Sequence, residues 1–463
     1  MKTKQIYYIA AVAMLTACTS SEEYETVTNN GLQKVTFADP FVGKNLTRAG
    51  SGDIDNAGLT SFKIRVWGQE INKPENESSL TVINGIASNN QSETPFNGGY
   101  DISHSGSGWT ADKVFYYPRD KYTFRFAAFA PADAINTSGE SSTPNGVVLN
   151  MTDKTLTFSG ADDNSYGITN IPLVQEIDNT TDAKKGWDLL VSNRFLSTPS
   201  TDGVTNRADI NFTFQHILSK LSFYVYASQT EGKKFYVKNI KAYLPKDNWT
   251  GSYKQNNKTA KPTAESKTDE TTNAKTWNST YHDTWAWVKK SDTSPDFANI
   301  DNIVTPSEFE TQIVNDNNNS YKEYPVFTAS NQTEGEEVIL TSFQDTPDEG
   351  QTDNITCRSY FLAPTPASSE TDGIKNYNFY VKIEYTVEET TGENKSTTKD
   401  YTGYLDLSKS GFKRFRQGWH HKVYIGLAHK TIRFISASVD GWDNHDEDMT
   451  VSREVDGWTS EQN

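Results

Sequence analysis

The feature that most constrains this chain is a two-residue alternation of apolar and polar side chains, carried in short runs that end at glycine, proline or other turn residues. SFKIRVWG (61–68), KYTFRFAAFAP (121–131), INFTFQHILSKLSFYV (210–225), NYNFYVKIEYTVEE (376–389), HHKVYIGLA (420–428) and TIRFISASVDGW (431–442) all show it. Successive side chains on a strand point to opposite faces, so each run reads as a half-buried antiparallel strand. Helical spacing is scarce. The 23 Tyr, 23 Phe and 10 Trp, among abundant Thr, Ser and Asn, weight the chain further toward strands. The expected fold class is all-β, and 463 residues suffice for two or three domains.

The amino terminus has a separate logic. Lys2 and Lys4 precede an apolar run from Ile6 to Ala17 that is too short to span a bilayer, so residues 1–17 read as an export signal. The order Leu15, Thr16, Ala17, Cys18 resembles the bacterial lipobox, in which the chain is cut before a cysteine that then carries lipid. Cys18 is thus the candidate lipid attachment point, and the chain would sit in the outer membrane on that anchor. An incidental cysteine behind an ordinary cleaved signal is the alternative. If Cys18 is acylated, Cys357 is the one thiol left, no disulfide framework exists and stability must come from cores.

Formal charge moves from −16 to −18 when Lys2 and Lys4 leave with the signal. Phosphate binding calls for clustered basic residues, so nucleic acid is excluded as a partner. The acidity is spread along the chain and reads as a solvated surface.

Residues 18–48 form a polar tether followed by a first strand, in which Val35 and Phe37 alternate with polar neighbours before Pro40 interrupts and Phe41 follows. GKNLTRAGSGDIDNAG then reads as an exposed linker containing Arg48 and Ala49. A domain boundary is placed near residue 207, separating 49–207 from 208–463. The stretch 246–345 contains runs such as KQNNKTAKPTAESKTDETTNAK that are too polar for a core, so long surface loops are expected there, broken by strands such as TWAWVKK and EEVILTSF.

Searches for catalytic constellations find no GxSxG elbow, Walker loop, HExxH or dinucleotide fingerprint at a strand-to-helix junction. His420 and His421 are adjacent, so on a strand they face opposite ways and are poorly placed to share a metal. DNHDED (443–448) lacks the glycine and terminal glutamate of a calcium loop. Cys357 has no histidine nearby in sequence and reads as a structural thiol. No metal, cofactor or enzyme activity is expected, although paired carboxylates distant in sequence would escape this search. Trp285 and Trp287, spaced to share one strand face, are candidates for stacking on glycans; packing within a sheet is the plainer reading.

Several segments together resemble the fimbrillins, the lipoprotein-derived (type V) pilins of Bacteroidales-type bacteria. They are the lipobox LTAC, KVTF followed by LTRAG, WDLLVS followed by INFTFQHILSKLSFYV, and GWHHKVYIGL followed by IRFISASVDGW. The resemblance implies two transthyretin-like β-sandwich domains in tandem, export as a lipoprotein, proteolysis behind the first strand, and head-to-tail polymerisation with other fimbrial subunits by strand exchange. On this chain the implied cut falls between Arg48 and Ala49, with Lys44 a secondary basic site. Val35, Phe37 and Phe41 mark the removable strand. MTVSREV in the tail supplies a candidate donor strand through Met449, Val451 and Val455, with Arg453 departing from the apolar pattern. The long polar insertion fits a tip or accessory subunit. The alternative expectation is a surface lipoprotein that binds host or bacterial glycans and never polymerises.

Overall fold

The computed structural model describes residues 33–42, 54, 58–70, 79–81, 100–106, 108–111, 114–117, 122–134, 148–150, 155–157, 167–177, 187–193, 195–197, 207–227, 232–245, 249–254, 284–289, 305–315, 321–339, 355–364, 379–391, 395–406, 415, 417–428, 431–441, 449–450, 454–456 and 458–461. The chain is all-β: among the described residues the strands form sheets of ten, seven, six and four strands.

The ten-stranded sheet is centred on Tyr122–Ala130, which pairs antiparallel with Ser61–Glu70 from Lys63↔Phe129 to Glu70↔Tyr122. Phe124, Phe126, Ala128 and Ala130 face a core with Phe62, Ile64, Phe212 and Phe214. Ala127 and Phe129 face a second core with Ile168, Ile171, Leu218 and Tyr253. Burial on both faces is why the alternation of KYTFRFAAFAP fades into an unbroken apolar run at its carboxyl end.

The second half of the chain is a sandwich of the six- and seven-stranded sheets. Ser219–Ala227 pairs in parallel with Trp419–Ala428 from Lys220↔His420 to Ala227↔Leu427. Leu221, Phe223, Val225, Val423, Ile425 and Leu427 then face Val237, Ile240, Leu244, Val381 and Ile383 of the other sheet. Gly403 is required by this packing. A Cβ there would lie 1.5 Å from Ile432 Cδ1 and 3.1 Å from Ile383 Cγ2, so Ile432 uses the missing side chain as its seat.

The chain leaves the first sheet later than residue 207. Ile210 bridges to Phe37, and Thr213–His216 pairs with Leu190–Ser192 within the ten-stranded sheet. The crossing comes at Ile217 and Leu218, which are buried in the core around Phe129 and Tyr253. Phe361 from the second half enters that core, and Val174–Ile177 from the first half pairs with Ser359–Leu362. The two halves therefore share buried surface.

The stretch 246–345 is more built-in than its polarity predicts. Thr284–Lys289 is a strand, as TWAWVKK predicts, and pairs with Trp249–Lys254. Tyr321–Thr328 pairs with Lys233–Pro245 inside the second sandwich, where Tyr324, Val326 and Phe327 are core residues. Of EEVILTSF, Glu336–Glu337 is strand and Val338 is buried. Thr305 caps a short helix, Pro306–Phe309, with a reciprocal Thr305–Glu308 capping box. That cap holds Phe309 in a wholly buried nest of Tyr243, Tyr321, Tyr380 and Tyr404.

Replacing Gly403 with alanine should lower stability by about 1–3 kcal/mol through overpacking against Ile432. Scanning calorimetry on the variant should show a lower unfolding temperature; an unchanged value would mean that Ile432 finds another seat at no cost.

Candidate functional site: the amino-terminal strand and its groove

Residues 33–42 lie between two segments of the first half of the chain and bond to both. On one side the Val35 N–H donates to the Phe115 carbonyl at 2.8 Å and the Tyr117 N–H to the Gln33 carbonyl at 2.8 Å, an antiparallel arrangement. On the other side the Ile210 N–H donates to the Thr36 carbonyl at 2.9 Å and the Ala38 N–H to the Ile210 carbonyl at 3.0 Å, a parallel one. Thr36 Oγ1 also donates to Asp209. Farther along, Phe41 and Val42 pair in parallel with Thr213 and Phe214.

Pro40 shapes the second part of this segment. The Phe212 carbonyl is met by the Phe41 N–H at 2.9 Å. Between the Ile210 and Phe212 carbonyls the partner advances two residues while this segment advances three, from Ala38 to Phe41. The extra residue is a bulge at Asp39–Pro40, where proline has no N–H to offer. A bulge shifts the alternation by one. Val35 is buried (5% exposed) and Phe37 packs on the core, but Phe41 is 39% exposed, and Val42, at 4%, faces inward instead. Of the residues that mark this segment in the sequence, Val35 and Phe37 face the core and Phe41 does not; Val42 takes the inward place. Beneath the segment lies an aromatic floor: Phe37 meets Phe62 edge-on at 6.3 Å, and Phe62 touches Trp109, Phe212 and Phe214 at 5.0–5.6 Å.

Both ends of this region are pinned by polar groups that periodicity does not reveal. The Gln33 side chain bonds the Arg207 backbone, with Nε2 donating to its carbonyl at 2.8 Å and Oε1 accepting its N–H at 2.6 Å. The Arg207 guanidinium donates to the Ser197 carbonyl at 2.9 Å and lies 4.6 Å over the Tyr117 ring. Burial pushes the Tyr117 phenol up to about 12, so a neutral ring faces the cation. Past the segment, the Ile54 N–H donates to buried Asp188 Oδ2 at 2.8 Å, and His216 Nδ1 donates to Oδ1 at 2.9 Å. Asp188 is the acid in WDLLVS, and its place in an apolar run is the one sequence signal for this contact.

The other predicted positions fall elsewhere. Cys18, Arg48, Ala49 and Val451 lie outside the described residues. Trp285 and Trp287 lie on the Thr284–Lys289 strand, and Met449 and Val455 on Met449–Thr450 and Glu454–Asp456; their side chains are outside the description. The tail is paired to its own subunit: Met449–Thr450 to Ser438–Val439, Glu454–Asp456 to Arg433–Ile435, and Trp458–Glu461 to Tyr401–Tyr404. His420 bonds Ser222 Oγ through Nε2 at 2.9 Å, whereas His421 packs against core residue Phe415, so the two rings do face opposite ways. Among the described residues, no group of three or more His, Cys, Asp and Glu is placed to hold a metal, and no helix is long and apolar enough to cross a membrane.

No family model and no curated protein matches the sequence. The solved structures that it resembles include fimbrial proteins of Bacteroidales-type bacteria. A fimbrial protein from Bacteroides vulgatus is 14% identical, with 88% of this chain and 99% of that one covered at a TM-score of 0.42. The tip fimbrial protein Mfa3 from Porphyromonas gingivalis, with a C-terminal truncation, is 8% identical over 83% of this chain and 94% of that one, at 0.32. A fimbrial assembly protein from Parabacteroides distasonis is 10% identical over 92% of this chain and all of that one, at 0.28.

Asp188→Ala should remove the acceptor for both Ile54 and His216 and lower stability by about 2–3 kcal/mol. Amide exchange at Ile54 should quicken together with a fall in unfolding temperature; unchanged protection of Ile54 would show that the carboxylate does not hold it.

Proposed function

We propose that this chain is a structural or adhesive subunit of a cell-surface fimbria, with no enzymatic role, and that its segment 33–42 is a temporary strand. The supporting observation is the way that segment is held. It bonds two flanking segments by backbone and covers an aromatic floor, and among the described residues the chain next resumes at Ile54, across residues 43–53. One cut in that linker severs it covalently. Departure would then expose unpaired backbone at 115–117 and 210–214, together with the apolar floor, and such an edge is a template for another chain's strand. A contact of that kind is head-to-tail and need not close on itself, so repetition gives a fibre.

In this reading Cys18 carries the lipid that holds the precursor in the outer membrane, the cut falls between Arg48 and Ala49, and the anchor departs with the strand. Asp188 keeps its hold on Ile54, downstream of that cut. The sandwich halves meet at Ile217 and Leu218. For Met449, Val451 and Val455 to act as a donor, the tail must first leave Ser438–Val439 and Arg433–Ile435. A tip or accessory subunit that accepts a strand and keeps its own tail needs no such step, and the paired tail favours it.

Fimbriae sheared from producing cells should contain this chain beginning at Ala49, read by terminal sequencing or mass analysis. Arg48→Gln should leave it lipidated and membrane-bound, at least about tenfold depleted from the sheared fraction, on the premise that a guanidinium-reading protease pocket rejects the neutral amide. Sheared fimbriae holding a chain that still begins at Cys18 would refute the scheme.

A further inference from the structure

The Gln33 side chain acts as a rung of the ladder. From Thr36 onward the segment pairs with 210–214 through its backbone. At residue 33 the connection to Arg207 is made by the terminal amide, which donates to the carbonyl and accepts the N–H of the same residue. Both ends of this contact are buried: Gln33 is 9% and Arg207 7% exposed. Arg207 is also anchored from behind, through Ser197 and over Tyr117 and Phe124. Its backbone therefore presents one donor and one acceptor at a fixed place in the groove wall.

Few side chains answer both. A primary amide offers a donor and an acceptor together; an ionised carboxylate offers acceptors alone, and an aliphatic chain offers neither. Asparagine has the amide but is one methylene shorter, so the reach selects glutamine.

Building on the strand-replacement reading, we infer that this amide contact is the groove's specificity determinant. The incoming strand belongs to a different subunit and carries glutamine two residues ahead of its first buried β-branched residue. Gln-x-Val-x-Phe occurs in this chain at 33–37 and nowhere else. The tail does not supply it, since the residues two places before Met449, Val451 and Val455 are Glu447, Met449 and Arg453. The occupant on this account is a heterologous strand.

The test uses the full chain with a site-specific protease site inserted after Arg48. After cleavage, labelled synthetic peptides spanning residues 31–44 are titrated against it by fluorescence anisotropy. Peptides with Gln33→Leu or Gln33→Glu should bind at least about tenfold more weakly than the unaltered peptide. A Thr36→Val peptide, which loses an exposed bond, should stay within about threefold. Equal affinity of the Gln33→Leu and unaltered peptides would overturn the specificity inference while leaving strand replacement standing. Failure of every peptide, the unaltered one included, to enter the cleaved chain would bring down both.

Discussion

The structure depends on satisfying the backbone of the Ile210–Phe214 segment. A buried N–H or carbonyl without a partner costs about 1–3 kcal/mol, so an uncovered strand edge above an apolar floor persists poorly in water. In this chain the partner is supplied by residues 33–42. A strand between two paired neighbours in sequence could not depart without rupturing two connections, whereas among the described residues this one is continued into the fold on its carboxyl side. Were this strand to leave, the edge it covers would call for a replacement.

The same contacts bear on how exchange would proceed. Fully burying a valine or phenylalanine side chain is worth about 1.5–3 kcal/mol, and this segment seats Val35, Val42 and, in part, Phe37. Backbone bonds on both flanks and the Gln33 amide add to that. Complete departure before anything else arrives is therefore steep. Rung-by-rung replacement asks less, because each broken bond is remade by the newcomer before the next one opens. The bulge at Asp39–Pro40 is the weakest point of the pairing, since Pro40 contributes no N–H to the ladder and exposed Phe41 is turned outward.

What the sequence revealed, and what it hid, follows from the range of the interactions. Val35 and Phe37 were legible because alternation is local. The inward turn of Val42 was not, since it required knowing which carbonyl lies opposite the missing N–H of Pro40. Tyr321–Thr328 and Phe309 were obscured by polar neighbours that dilute any average over 246–345, although the Thr305–Glu308 capping box was present in the sequence. Gln33 and Arg207 lie 174 residues apart, and a neutral glutamine beside a strand carries no mark of a distant backbone partner. Asp188 was at least conspicuous as an acid in an apolar run, yet its contacts with Ile54 and His216 needed the fold.

The shared core has a mechanical consequence for the groove. Ile217 and Leu218 follow directly on the groove wall Ile210–His216 and are buried among residues of both halves, with Phe361 entering from the second. Load applied to a strand seated against Phe212 and Phe214 would therefore pass through covalent chain into that core, then along Ser219–Ala227 in parallel register with Trp419–Ala428. Bonds across a strand pair pulled along its length share shear rather than opening one at a time. Tension on the segment at 33–42 would thus be handed to the longest parallel pairing among the described residues, Ser219–Ala227 with Trp419–Ala428.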